Sequence, residues 1–105
     1  MRYKEGVSRK SLQPTMSLAV NEINKCFEKI DKEFVITSTY DGKHKKGSLH
    51  YIGLAIDFRN RHLSDKEQSE LMACIRSNPV FKNDKRFQFL PKKTHIHVEY
   101  DRREN

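Results

Sequence analysis

Residues 94–101, Thr-His-Ile-His-Val-Glu-Tyr-Asp, divide by parity into two sets that cannot share an environment. In a strand, alternate side chains point to opposite faces, so His95, His97 and Glu99 project one way and Ile96, Val98 and Tyr100 the other. The apolar set needs a core. Two imidazoles and a carboxylate are then presented together on the opposite face, and a solvent-facing edge with two chance histidines is the plain alternative. Residues 48–59, Ser-Leu-His-Tyr-Ile-Gly-Leu-Ala-Ile-Asp-Phe-Arg, carry a similar constraint. Gly53–Arg59 reads as a strand with Leu54, Ile56 and Phe58 toward the core, leaving Ala55 and Asp57 on the other face. A carboxylate in so apolar a segment is costly unless it is paired or bound to a cation. Arg59 or Arg61, a backbone amide, or a metal ion could meet that need. His50 precedes Gly53, a residue that permits a tight bend.

The rest of the chain supplies the frame for these strands. Met16, Ala19, Val20, Ile23, Phe27, Ile30 and Phe34 recur every three or four residues, which predicts an amphipathic helix from Thr15 to about Lys32 behind Pro14. Phe34–Tyr40 is β-branched and aromatic and ends at Asp41-Gly42, a turn signal. Lys43–Ser48 reads as an exposed loop. Ser64-Asp65-Lys66-Glu67 is a capping box opening a second helix, with Leu71, Met72 and Ile75 as its buried stripe and Asn78-Pro79 at its end. Two short strands, Arg86–Leu90 and Thr94–Tyr100, close the chain. Residues 1–13 read as an irregular lead-in. The order helix–strand–strand–helix–strand–strand implies one α+β domain over residues 1–105, a small, mostly antiparallel sheet flanked by two main helices.

Composition narrows the partners. Charged residues make up 33% of the 105 positions and hydrophobic ones 35%, yet six phenylalanines and four tyrosines with periodic apolar runs argue against disorder. The net charge of +7 suits an anionic partner, but the basic residues are dispersed and form no nucleic-acid recognition motif, so no nucleic-acid partner is expected. No stretch approaches the roughly 20 apolar residues of a membrane span. The first ten residues lack the apolar core of a secretory signal. Cys26 and Cys74 lie within apolar helical patterns, read as buried free thiols with a single disulfide left open. A monomer is expected.

Imidazole nitrogen and carboxylate oxygen are good zinc ligands, and catalytic zinc keeps three protein ligands with water in the fourth position. The pattern Ser-x-His-x-x-Gly-x-Ala-x-Asp, filled here by Ser48, His50, Gly53, Ala55 and Asp57, with His95-Ile96-His97 downstream, resembles the zinc D-Ala-D-Ala carboxypeptidases and the L-alanyl-D-glutamate endopeptidases. These belong to the wider group that includes lysostaphin and the Sonic hedgehog domain. The resemblance runs from about Leu12 to Tyr100. It implies that His50, Asp57 and His97 hold zinc, that His95 assists proton transfer or stabilises the oxyanion, and that Glu99 is an outer carboxylate or alternative base. Ser48 would support the first ligand. Tyr40, Lys43, His44 and Tyr51 are candidate substrate contacts, with exposed-loop or packing roles as the alternatives, and His62 reads as surface.

The implied activity is hydrolysis of a peptidoglycan stem peptide by a compact, phage-type enzyme made in the cytoplasm and delivered to the wall by lysis or a virion. A zinc-binding domain of the same fold without catalysis is the alternative. Two positions depart from the family pattern. Asp41 stands where many members carry a substrate-binding Arg, leaving Lys43, Lys45 or Arg59 as the substitute cation. Thr94 stands where some relatives place an acid.

Overall fold

In a computed structural model of the chain, residues 1–7, 12–39, 49 and 53–102 are described. Their elements run β1 (Arg2–Tyr3), α1 (Pro14–Lys29), β2 (Val35–Ser38), β3 (Ala55–Arg59), α2 (Asp65–Ser77), α3 (Pro79–Lys82), β4 (Phe87–Pro91) and β5 (His95–Tyr100). The strands form a mixed five-stranded sheet in the order β1-β2-β3-β5-β4. Only β1 with β2 is parallel; the other neighbours are antiparallel. The class is α+β. β1 corrects the reading of residues 1–13 as wholly irregular: Arg2 and Lys4 donate their N–H groups to Phe34 O and Ile36 O, each at 2.8 Å. Two residues of strand carry no periodicity that a sequence could reveal.

α1 forms because its apolar positions repeat at helical spacing, and Met16, Ala19, Val20, Ile23 and Phe27 are buried as that spacing requires. It ends at Lys29, earlier than its periodicity suggests, because Asp31 adopts φ +54°. Asp31 N–H then donates to Glu28 O at 3.1 Å and Lys32 N–H to Phe27 O at 3.2 Å, the two bonds of a Schellman stop. α2 opens with the expected capping box: Glu67 N–H donates to Ser64 Oγ, and Ser64 N–H to Glu67 Oε1. Asn78 closes α2 in the extended conformation that a following proline favours. Its side chain then accepts from Val80 N–H and starts the short α3, a turn the sequence reading ended at Pro79.

The helices pack on one sheet face through Phe27, Phe34 and Phe58, whose rings meet at 4.9–5.7 Å, with Ile36, Ile56, Ile96 and Val98 fully buried beside them. His62, read as a surface residue, is partly buried: its ring lies parallel to Phe27 and its Nε2 is 2.7 Å from Glu33 O. Cys26 and Cys74 are joined as a disulfide, with Cα atoms 5.8 Å apart, tying α1 to α2. This replaces the reading of two free thiols. Each cysteine lies on the inward stripe of its helix, but only the docking of the two helices brings them within bonding distance.

Asn60, 5% exposed, pins the end of β3. It donates from Nδ2 to Lys92 O at 2.9 Å and to Gln68 Oε1 at 3.0 Å, so the β4–β5 turn and α2 share one anchor. Among the described residues no helix is long and apolar enough to cross a membrane.

Two outcomes follow in urea unfolding. The disulfide closes a sequence separation of 48 residues, so reduction or paired Cys→Ser substitution is expected to remove about 4 kcal/mol of stability. Asp31→Gly is expected to add roughly 1 kcal/mol, because a left-handed backbone conformation disfavours any side chain.

Candidate metal centre

The register of β3 against β5 builds the polar face. Asp57 pairs with His97, Ala55 with Glu99 and Arg59 with His95, while Ile56 and Phe58 pair with Val98 and Ile96 on the core side. Strand parity therefore places Asp57 beside His97 without any loop to aim it. β2 contributes an irregularity at the same point. Ile36 pairs with Phe58 but Ser38 pairs with Asp57, so an extra residue bulges opposite the carboxylate. Bulges of this kind re-aim side chains beside functional sites. Thr37, within the bulge, donates its hydroxyl to Asp57 O at 3.3 Å.

His97 is held between two carboxylates. Its Nδ1 lies 2.9 Å from Asp57 Oδ1 and its Nε2 lies 2.9 Å from Glu99 Oε1. The three side chains are only 15–18% exposed. A neutral ring donates through one nitrogen and a charged ring through both. The Asp57 hydrogen bond is the largest influence on the imidazole and holds its pKa above the ordinary value; burial opposes this, and Glu99 acts in the same sense as Asp57. The neighbouring His95 has its Nδ1 3.2 Å from Thr94 Oγ1.

This donor set fits zinc on one side of the ring. Two donors on a tetrahedral zinc ion stand about 3.4 Å apart, and Asp57 Oδ1 and His97 Nδ1 are already at 2.9 Å. A small widening would admit the ion in place of the shared proton. Glu99 sits at the opposite ring nitrogen, where a carboxylate fixes the tautomer and orientation of a liganding histidine. That position favours the outer-carboxylate role for Glu99 over the role of base.

The structure thus brings together Asp57, His97 and Glu99, with His95 next along the same face. His50, the remaining candidate ligand, lies outside the described residues, as do Tyr40, Lys43, His44, Ser48 and Tyr51. Among the described residues no group of three His, Cys, Asp or Glu side chains converges to hold a metal ion. Gly53, four residues before Asp57, has φ +72°, the bend its place in the motif suggests. Leu49, beside His50 in the chain, is buried, and its carbonyl accepts from Leu54 N–H at 3.0 Å. The sequence reading missed two neighbours of the site. Leu90 on β4 pairs with His97 and is 43% exposed, an apolar side chain at the edge of the polar face. The other is the bulge at Thr37, for which the sequence carries no signal.

Comparison of the chain with protein-family models, curated proteins and solved structures found no match in any of the three.

The His97 arrangement sets a pH dependence in metal-free protein. A histidine whose folded pKa is raised contributes stability in full below its unfolded value of 6.5, and loses it as pH rises through the folded pKa. Thermal melts in chelator are expected to show this loss above pH 6.5, and Asp57→Asn is expected to flatten it.

Proposed function

We propose that the chain is a zinc peptidase of the D-Ala-D-Ala carboxypeptidase and L-alanyl-D-glutamate endopeptidase type, acting on peptidoglycan stem peptides. The observation that carries this reading is the Asp57–His97–Glu99 arrangement. Two residues 40 positions apart in sequence, both implied as zinc ligands by the family resemblance, meet at 2.9 Å on one sheet face. An α+β domain with the helices behind the sheet and the polar residues in front of it is compatible with the fold that this family resemblance implies.

His50, Asp57 and His97 would hold the ion. Zinc supplies a water acidified toward neutral pH and a Lewis acid for the peptide carbonyl. The chain's own residues do the rest. Glu99 holds His97 through Nε2 and keeps its other nitrogen directed at Asp57. His95, two residues along on the same face, takes a proton and returns it to the leaving amine. These residues stand on paired strands rather than loops, which orients them before a substrate arrives. The Cys26–Cys74 disulfide suits a protein that works outside a reducing cytoplasm, as a wall-degrading enzyme does.

The test is digestion of purified peptidoglycan by zinc-loaded protein, with mass spectrometry of the released fragments. Release that is abolished by chelator and by Asp57→Ala is expected, and the fragment masses identify the bond. His95→Ala is expected to keep zinc and to lower kcat by about 10²–10⁴-fold. Stoichiometric zinc binding with no release from several wall chemotypes would reject the peptidase in favour of a zinc-binding domain of the same fold.

A further inference from the structure

β4 stands at one end of the sheet and, among the described residues, pairs with β5 alone. Lys92 N–H donates to His95 O at 2.8 Å and Asp101 N–H to Arg86 O at 2.9 Å, so the even-numbered positions turn their backbone groups toward β5. By the alternation of an antiparallel ladder, Phe87, Phe89 and Pro91 turn theirs outward. Phe87 N–H is taken by Asp84 O at 3.2 Å, and proline has no N–H. The edge therefore offers one donor, Phe89 N–H, among three acceptors, the carbonyls of Phe87, Phe89 and Pro91. Such a row is a template for a further strand.

The surroundings of this edge say what fits it. β4 itself, Phe-Gln-Phe-Leu-Pro, carries no charge, and Gln88, Leu90 and Pro91 are exposed. Cations flank it on both sides, Lys85 and Arg86 before it and Lys92 and Lys93 after it. Arg86 pairs with Asp84, whereas Lys85, Lys92 and Lys93 make no ion pair among the described residues. On the helix side the edge opens at Pro91 into a groove of about 410 Å³, walled by one stripe of α2: Asp65, Gln68, Ser69, Met72 and Arg76. A second copy of the chain suits the edge poorly. Antiparallel pairing centred on Phe89 would set Phe87 opposite the copy's proline, where neither N–H is available, and leave only the bonds exchanged between the two Phe89 residues. It would also oppose Lys85 to Lys93 and Arg86 to Lys92, and like charges directly across a ladder repel.

We propose that the β4 edge docks an extended acidic segment of a partner protein, which adds to the sheet as an antiparallel strand. A segment with a free N–H at three alternate positions accepts from Phe89 N–H and donates to the carbonyls of Phe87, Phe89 and Pro91, satisfying every group the edge presents. Acidic residues at its two ends meet Lys85 on one side and Lys92 and Lys93 on the other. Its helix-side residues extend the row of Phe87, Phe89 and Pro91 toward the α2 groove, where Arg76 offers a further cation. Its other residues cover Leu90, which is 43% exposed and shares the face of His97. The added strand would run two strand spacings from β5, about 9.6 Å. It would lie beside the polar face without covering Asp57 and His97, so the proposal goes beyond the peptidase reading and stands without it.

The probe is the peptide acetyl-Glu-Glu-Val-Thr-Val-Thr-Val-Glu-Glu-amide, titrated into the full chain at low salt. Binding is followed by calorimetry and by the amide NMR signals of Gln88, Phe89 and Leu90. Saturable shifts at these signals are expected, with slowed hydrogen exchange of Phe89 N–H. In the proposed register the third, fifth and seventh amides of the probe point at Pro91, Phe89 and Phe87, and the fourth points away. N-methylation of the fifth amide is expected to raise Kd roughly tenfold, and N-methylation of the fourth to leave it unchanged. Exchanging the glutamates of the probe for lysines is expected to weaken binding as strongly, and Lys92→Glu/Lys93→Glu in the protein to restore it for that lysine probe. No shifts at β4, or an equal loss from the two methylations, would overturn strand addition. Equal binding of the acidic and lysine probes would overturn the acidic partner. A dimer in sedimentation, with Phe89 N–H already protected before any probe is added, would assign the edge to a second copy instead.

Discussion

The pairing of β3 with β5 is the constraint on which the rest of this structure depends. Five successive residue pairs alternate between the two faces of the sheet, and a slip of one residue would reverse all of them. Phe58 and Ile96 are fully buried on one face, and burial of such side chains is worth roughly 1.5–3 kcal/mol each. A slipped register would expose them and drive Asp57 or His97 into the core without partners. The polar site is thus held in place by apolar residues on the opposite face of the sheet. Its precision derives from the Phe27–Phe34–Phe58 cluster and the helices behind the sheet.

Charge is distributed along this face in opposite senses. Around His97 two carboxylates surround one imidazole, an arrangement that favours a proton or a metal ion at the ring. One pleat away, Lys4, Arg59 and Arg61 face a hollow with no carboxylate lining it among the described residues. An acid-flanked imidazole and a group of basic residues thus lie side by side on one sheet face. The two parts are linked through the backbone: Arg59 lies on the same strand as Asp57, and Thr37 touches Asp57 O while lining the hollow. The Cys26–Cys74 disulfide lies behind the sheet and acts on stability, closing the two helices over a modest core without contributing a group to the site.

Much of this was legible in the sequence because the relevant physics is local. Period-two alternation assigned His95, His97 and Glu99 to one face, and the pattern around Leu54, Ile56 and Phe58 assigned Asp57 away from the core. The capping box at Ser64 and the stripes of α1 and α2 were fixed by helical spacing, and all reappear in the structure. Chain stops were read less well, because the end of α1 depends on one backbone torsion at Asp31, which nothing in the sequence marks as left-handed.

Sequence by itself determined which side chains share a face, since parity and helical period are properties of neighbouring residues. Only the tertiary structure decided which faces meet. The Asp57–His97 contact, the Cys26–Cys74 bond, the docking of β1 beside β2 and the gathering of Lys4, Arg59 and Arg61 around one hollow each join segments far apart in the chain. Such contacts follow from register and packing, which are settled by the burial of the whole core at once and leave no local pattern in the residues they bring together.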